Sequence, residues 1–274
     1  MHTGEQAYCK ITIHLIIYIG DIIYYIKREM IKHYIKHLIM AAIAMMMVFT
    51  IQAQTKPQSQ VLAKTYQPGD IVPASAIKQI GEKKFFTVSP IPDSIFKLMQ
   101  GKTYKANCTM SRSELRYLRC LHIDRNGRSI VGEMVVNKAI ANDVLDIFRQ
   151  LYLAKYPIER MRLIDYWDAN DERAMRANNS SSFNFRFVSH THTVSKHGKG
   201  MAIDINTLYN PYHKRLKNGK EVIEPATGKP YLDRSQQHPY MIKRGDLCYR
   251  LFKQKGFRWG GDWKSMKDYQ HFEK

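Results

Sequence analysis

Two short segments that lie far apart in the chain most constrain how it can fold. The first is Ser195-Lys-His-Gly-Lys-Gly-Met-Ala-Ile-Asp204, and the second is Asp268-Tyr-Gln-His271. Together they offer two imidazoles and two carboxylates, which are donor types that hold a divalent metal such as zinc. If one ion binds donors from both segments, the fold must bring the end of the chain against residue 204.

A hydrolytic zinc site needs about three protein ligands, an open fourth position for water and a nearby base. His197, Asp204 and His271 can fill the three ligand positions and Asp268 can be the base, although a loop histidine and a strand-end carboxylate without metal are the alternative for the first two. Glu273 is the alternative carboxylate, because it shares a strand face with His271. A hydrogen bond to the imidazole is the role that we expect for Glu273.

The spacing of the first segment gives this assignment a local geometry. Gly198 and Gly200 let the backbone turn sharply after His197, so that its ring can fold back over a strand that begins near residue 201. Alternate residues of that strand are expected to face the core, namely Met201, Ile203 and Ile205. Ala202 and Asp204 share the opposite face, where a small side chain leaves room for a metal and a substrate.

The motifs resemble those of a known family. Ser195-x-His197-Gly-x-Gly200-x-Ala202-x-Asp204, Trp259-Gly-Gly-Asp-Trp263 and Asp268-x-x-His271-Phe272 are similar to the zinc D,D-carboxypeptidase and L-alanyl-D-glutamate endopeptidase family. These VanY-like peptidases act on bacterial cell-wall peptides and share a fold with the hedgehog signalling domain. The resemblance covers roughly residues 105–274 and implies a Zn²⁺ cofactor and hydrolysis of an amide bond in peptidoglycan stem peptides.

The resemblance also implies roles for further residues. Arg186 corresponds to the arginine that steadies the carbonyl oxygen in this family, and a solvated strand arginine is the alternative. Ser195, Asn184 and Trp259 are interpreted as substrate-binding residues. The motif forms look most like L-alanyl-D-glutamate endopeptidases, with D-alanyl-D-alanine carboxypeptidase as the nearest alternative. A different class of function, a non-catalytic zinc module that binds wall peptides or a protein partner, also stays open.

Hydrophobic patterns predict an α+β fold, a small antiparallel sheet with flanking helices. A hairpin is expected from residues 115–123 and 129–136, which flank the turn signal Asn126-Gly127. Helices are predicted at 141–156, 171–177 and 246–255, and strands at 161–164 and 182–188. Residues 208–245 are expected to form a long surface loop, and His190 and His192 are treated as loop residues rather than metal ligands.

The N-terminal region differs from the rest of the chain. Basic residues at 27–36, an apolar run at 38–51 and then small or polar residues have the outline of a secretory signal peptide. Residues 1–53 are therefore interpreted as a signal peptide or hydrophobic segment, with Met30 as a more natural start than Met1. A membrane hairpin or uncleaved anchor is the alternative. Residues 54–104 are predicted to be a linker or arm, and residues 105–274 the catalytic domain.

The composition of the chain indicates which kinds of binding partner to expect. The chain carries 43 Lys and Arg against 24 Asp and Glu, a formal net charge of +19. Such an excess favours anionic surroundings, which for an exported protein, periplasmic or extracellular, would include envelope polymers. Nucleic acid is not expected, because no repeat of basic and aromatic residues is present. Cys108 and Cys120 could form a disulfide in an oxidising compartment or could be small buried residues. The sequence does not indicate an oligomeric state.

Overall fold

The computed structural model describes the backbone of residues 3–188 and 191–274, and His190 lies outside the described residues. Side chains are described for residues 19, 20, 22–47, 62–188 and 191–274. The chain divides into two compact units, Met1–Gln58 and Ser59–Lys274. The predicted domain boundaries at residues 53 and 104 stay predictions.

Helix α1 spans Thr3–Thr65 and makes up the described part of the first unit. Many of its described side chains are large, apolar and exposed, including Tyr24, Tyr25 and Met46. Among the residues that the structure describes, no helix combines the length and apolarity that crossing a membrane requires. The predicted signal peptide and the alternative anchor both fall on this helix, and neither prediction is tested by it.

A long β-hairpin forms the centre of the second unit. Strands β2 (Leu115–Ile123) and β3 (Ser129–Asn137) pair antiparallel along their whole length, as predicted from the turn signal between them. Helix α4 (Ala141–Leu153) packs against β2. It ends earlier than predicted because Lys155 adopts a left-handed conformation, with φ of 56°, before Pro157 is reached.

Residues 54–104, predicted to be a linker or arm, contain regular secondary structure. This segment contains α2 (Ala74–Ile80), β1 (Thr87–Ser89) and α3 (Asp93–Met99), and β1 adds to the hairpin beside β2. Several of its side chains are buried in the core of the second unit, namely Val72, Ile80, Phe85, Ile91 and Met99. Its apolar residues are too widely spaced to show a helical or strand period in the sequence. They nevertheless contribute to the core beside the hairpin.

Residues 182–188 do not form the strand that their alternation predicts. The chain here is extended, yet three successive backbone N–H groups donate to three different segments. Phe183 donates to Val135, Asn184 to His197 and Phe185 to Thr103. Only its end pairs with one neighbour, through the isolated antiparallel bridge between Phe187 and Val194, so residues 182–186 lie between elements rather than within a sheet.

Short strands near the C-terminus form two sheets that carry the sequence motifs described above. Strand β11 (His271–Glu273) pairs antiparallel with β6 (Ala202–Asp204) and with β9 (Arg258–Trp259). Strand β7 (Tyr212–Arg215) pairs antiparallel with β8 (Glu221–Glu224) and with β10 (Lys267–Asp268). Residues 208–245, predicted to form a long surface loop, therefore contain the β7–β8 hairpin and a 3₁₀ segment at Ala226–Leu232, and residues 233–245 are irregular.

The remaining elements complete an α+β architecture, which confirms the predicted fold class. Strands β4 (Arg160–Met161) and β5 (Asn179–Ser180) form a two-residue parallel pair. Helix α5 (Asp171–Arg176) precedes β5, and α6 (Leu247–Gln254) precedes β9. The main core lies between the hairpin, α4, α6 and the sheet of β11, and its largest buried side chains there include Phe148, Phe252, Phe257 and Phe272.

The thiols of Cys108, Cys120 and Cys248 are free. Cys120 and Cys248 are buried, and burial raises the pKa of the Cys120 thiol to about 12. Cys120 and Cys248 therefore correspond to the alternative of small buried residues, whereas Cys108 is half-buried and forms no disulfide with Cys120.

Candidate metal centre and cleft

The pairing of β6 with β11 brings the end of the chain against residue 204. In this antiparallel pair His271 lies directly opposite Asp204, and Phe272 lies opposite Ile203. Directly opposed residues project to the same face of a sheet. Asp204 and His271 therefore share one face, while Ile203 and Phe272 are fully buried on the other and anchor both strands in the core.

His197 reaches the same place through the turn that precedes β6. The Ser195 hydroxyl accepts a hydrogen bond from the Gly198 N–H at 3.0 Å and closes the turn. Gly200 has φ of 65°, and a Cβ built there would lie 2.7 Å from the backbone nitrogen of Asn137. Only glycine satisfies both the conformation and the close approach, so this residue lets the turn pack against β3.

Three ligand atoms converge at this point. The Nε2 atom of His197 lies 3.2 Å from Oδ2 of Asp204, and Nδ1 of His271 lies 3.1 Å from Oδ1 of Asp204. One ligand atom from each of the three side chains lies within 4.8 Å of the others, and both histidines are buried. Such a set of two imidazoles and one carboxylate can hold a divalent metal ion.

Hydrogen bonds on the outer sides of the rings support this interpretation. The Nδ1 atom of His197 lies 2.8 Å from the Ser182 carbonyl oxygen, which only accepts, so this nitrogen carries the proton. Nε2 of His271 lies 3.3 Å from a carboxylate oxygen of Glu273 and donates in the same way. Each ring is thus oriented with its other nitrogen toward Asp204, the arrangement that metal-binding histidines require. The donor set fits zinc.

The electrostatics of the three side chains also call for a cation between them. Burial acts to raise the pKa of Asp204, but His197 and His271 hold the pKa of this carboxyl well below its usual range. Burial acts to lower the pKa of His271, yet hydrogen bonds to Asp204 and Glu273 raise it to about 10. The site therefore favours positive charge beside a carboxylate that stays ionised.

Asp268 lies in the same cavity as the three ligands, on β10. Its Oδ1 atom is buried and has no hydrogen-bond partner among the described residues. Burial raises the pKa of Asp268 to about 7, opposed by His271 and assisted by the negative charge of Asp204. A carboxyl group with a pKa near neutrality can both accept and donate a proton under physiological conditions.

The position of Asp268 depends on the Trp259-Gly-Gly-Asp-Trp263 motif. A Cβ atom added at Gly260 would lie 2.5 Å from the carbonyl oxygen of Asp268 and 2.7 Å from its Cβ. The 3₁₀ turn at Gly260–Asp262 therefore packs directly on Asp268. Glycine is required at residue 260 because the turn approaches Asp268 so closely. The motif therefore holds this carboxylate in position.

The cavity has a volume of about 690 Å³, and one face of the β10–β7–β8 sheet forms a wall of it. The register places Asp268 opposite Tyr212, which lies opposite Glu224, and Lys214 opposite Val222. All five side chains line the cavity. Sequence reasoning missed Lys214 and Glu224, although Asn218-Gly219 between the two strands is a hairpin signal of the kind recognised at Asn126-Gly127.

Arg186 lines the cavity, and its guanidinium Nε lies 3.1 Å from Oδ2 of Asp171. Asn184, predicted to bind substrate, does not line it. Its side-chain amide instead donates to Oδ1 of Asp171 at 3.0 Å and to the Ala169 carbonyl. Asn184 therefore braces the carboxylate that pairs with Arg186.

Of the other two predicted substrate-binding residues, one lines the cavity and one does not. Ser195 lines the cavity, with its hydroxyl engaged in the turn described above. Trp259 does not, because its ring is buried against Phe272 and its Nε1 donates to the Tyr269 carbonyl at 2.9 Å. Trp263, at the other end of the same motif, is the tryptophan that lines the cavity, with its ring 5.4 Å from that of His271.

Residues 189–274 match a family model described as D-alanyl-D-alanine carboxypeptidase. The matched segment contains the three metal-ligand candidates and Asp268, whereas Arg186 precedes it. The predicted family resemblance is therefore confirmed for residues 189–274. No solved structure gives a match to the chain.

Proposed function

We propose that this peptidase-family chain is a zinc-dependent hydrolase that cleaves an amide bond in peptidoglycan stem peptides. Either the bond after L-alanine, as in L-alanyl-D-glutamate endopeptidases, or the terminal bond between two D-alanines would be its target. The observation that carries the proposal is the convergence of His197, Asp204 and His271 beside a partnerless carboxylate oxygen of Asp268 in one cavity.

His197, Asp204 and His271 would hold the zinc ion. Bound there, zinc would supply a Lewis acid that polarises the scissile carbonyl and lowers the pKa of water. The protein's contribution is a rigid ligand set, because Ser182 and Glu273 fix the two imidazole rings from behind. Phe272 holds the strand that carries His271 in the core.

Asp268 would act as the general base and then as the general acid. Its carboxylate would accept a proton from the attacking water and pass it to the departing amine, so that no net proton is consumed at the residue. The buried and partnerless Oδ1 atom is available for this contact. A pKa of about 7 keeps both protonation states accessible.

Arg186 would stabilise the negative charge that develops on the carbonyl oxygen. Its pairing with Asp171, which Asn184 braces, orients the guanidinium before substrate arrives. A single preorganised donor to a developing oxyanion contributes about 3 kcal/mol to catalysis. The other guanidinium N–H groups make no hydrogen bond with any described residue and can donate to the substrate.

The cavity is suited to a short charged peptide. It combines cationic Lys196 and Lys214 with anionic Glu224, and Tyr212 and Trp263 add apolar surface. Peptide stems that carry carboxylates and amines match such a mixed lining. We further propose that the protein is exported, consistent with the signal-like N-terminal sequence, and that its net positive charge favours the anionic cell envelope.

Incubation of the purified protein with muropeptides, with and without a chelator, tests the proposal. Mass spectrometry of the products should identify one cleaved amide bond, and zinc should restore cleavage after chelation. The masses also distinguish endopeptidase from carboxypeptidase action. Binding of muropeptides without metal-dependent cleavage would instead support the non-catalytic binding module.

A further inference from the structure

A second cavity of about 740 Å³ lies outside the candidate metal centre. Its walls come from the turn between β2 and β3, the β4 segment and Tyr240. Within the described parts of the chain, no residue lines both cavities. The proposed hydrolysis makes no use of this second cavity.

The lining contains four arginines, namely Arg125, Arg128, Arg160 and Arg162. Two of them are held in place by buried carboxylates. Arg128 donates through Nε to Oδ2 of Asp124 at 2.7 Å, and Arg162 donates through Nε to Oε1 of Glu133 at 2.9 Å. Asp124 is 4% exposed and Glu133 is fully buried, so both pairs are anchored in the fold.

The same carboxylates have little capacity left for other cations. Oδ1 of Asp124 accepts the backbone N–H groups of Asn126 and Arg128, which also shapes the hairpin turn. The second oxygen of Glu133 accepts the Tyr117 hydroxyl at 2.7 Å. Glu159 is a further acid in the lining, and it accepts from Asn178 at 2.8 Å.

Arg125 and Arg160 differ from Arg128 and Arg162 in having no carboxylate partner among the described residues. Neither guanidinium makes a hydrogen bond or ion pair with any residue that the structure describes, and both side chains are exposed at the cavity. The lining also contains aromatic surface, since Trp167 and Tyr166 line the cavity and the Arg162 guanidinium lies 4.2 Å from the Tyr166 ring centre.

We propose that this cavity is a second binding site, for a ligand that carries an oxyanion, either a phosphate or a carboxylate. Guanidinium groups match both anions because their forked N–H donors bind two oxygens at once. Arg128 and Arg162 are held in place by their carboxylates, and Arg125 and Arg160 supply the unpaired positive charge that the ligand would neutralise. An anionic envelope polymer and a peptide carboxylate would both present this chemistry.

Calorimetric titration of the full chain at low salt tests the site, with glycerol 3-phosphate and N-acetylglutamate as the two probes. At least one probe should bind saturably, and the tighter one identifies the anion class. The double variant Arg125→Gln/Arg160→Gln should weaken that binding about tenfold, because two charge-assisted contacts are lost. Both side chains are exposed and make no hydrogen bond with a described residue, and the Arg125 backbone N–H that donates to the Tyr240 hydroxyl is kept, so the variant should fold.

Two controls separate this site from general charge and from the metal centre. Lys97→Gln/Lys105→Gln removes the same charge from exposed positions elsewhere and should leave the affinity unchanged. His271→Gln should also leave it unchanged. The proposal is overturned if neither probe binds, if the arginine variant binds like the wild type, or if either control weakens binding as much.

Discussion

The Nε2 atom of His197 lies 3.1 Å from the Nδ1 atom of His271, although 74 residues separate them in the chain. Each ring has its remaining nitrogen committed to an acceptor, so the two facing nitrogens would repel each other as bare lone pairs. A proton or a metal ion between them removes that repulsion. The close approach of these two atoms is the strongest geometric argument for a metal centre.

Replacing a ligand should remove the metal. We expect that His271→Gln reduces bound zinc from about one equivalent to a trace, because three protein ligands are the usual minimum for a zinc site. Metal content measured by plasma mass spectrometry after dialysis checks this. His213→Gln is the matched control, since His213 pairs with Glu221 outside the cluster. Equal zinc in wild type and His271→Gln would rule out the proposed coordination.

Asp268→Asn should separate catalysis from metal binding. The variant keeps the shape of the side chain but cannot accept a proton, so kcat for muropeptide cleavage should fall by about a hundredfold to ten-thousandfold. Zinc content should stay the same. Asp233→Asn, at an exposed carboxylate hydrogen-bonded to Ser235, should cleave like the wild type. If Asp268→Asn retained full activity, another group would have to be the base.

Gly260→Ala should impair activity through Asp268. The added methyl group would overlap the backbone and Cβ of Asp268, so the carboxylate must shift. We expect kcat to fall about tenfold or more while KM and zinc content change little. In Gly261→Ala the new Cβ would instead lie 2.4 Å from the Trp259 ring, so that variant should chiefly lower the melting temperature. Normal turnover by a folded Gly260→Ala enzyme would contradict the role of this turn in positioning the Asp268 carboxylate.

Acid should destabilise the second unit through His122. Burial lowers the pKa of His122 from 6.5 to about 4, and its Nδ1 donates to the Ile158 carbonyl. Between these two values the unfolded chain binds a proton that the folded chain does not, so stability is fully present above pH 6.5 and falls as the pH drops toward 4. Protonation of His122 accounts for about 3 kcal/mol of this fall in the free energy of unfolding.

Denaturant unfolding at a series of pH values checks the His122 prediction. His122→Gln keeps a hydrogen-bond donor but does not titrate, so its free energy of unfolding should decline less between pH 6.5 and 4. The exposed His192→Gln serves as the control. Parallel curves for wild type and His122→Gln would show that another group governs the acid sensitivity.

The sequence predicted those parts of the fold that depend on residues close together in the chain, such as turns. Asn126-Gly127 between two alternating runs identified the β2–β3 hairpin, and the histidine and aspartate spacing identified side chains that the fold brings together. Whether these side chains bind zinc and perform the proposed steps is still a prediction. The α+β class followed from the mixture of elements.

Features that depend on long-range packing were not predictable in the same way. Residues 182–188 alternate like a strand, but their backbone groups are satisfied by three separate segments. Trp259 and Trp263 are chemically equivalent in the motif, and only the tertiary structure assigns one to the core and the other to the cavity. Lys214 and Glu224 reach the cavity because β10 pairs with β7, a contact across distant parts of the chain.

The candidate base and the candidate ligands belong to different sheets, since Asp268 is on β10 and His271 on β11. The β7–β8 hairpin extends only the first of these sheets. Its tip, residues 216–220, can thus be lengthened, shortened or exchanged while the ligand strands keep their register. Directed evolution toward a new peptide specificity would begin most profitably in that tip, where diversification leaves the metal centre intact.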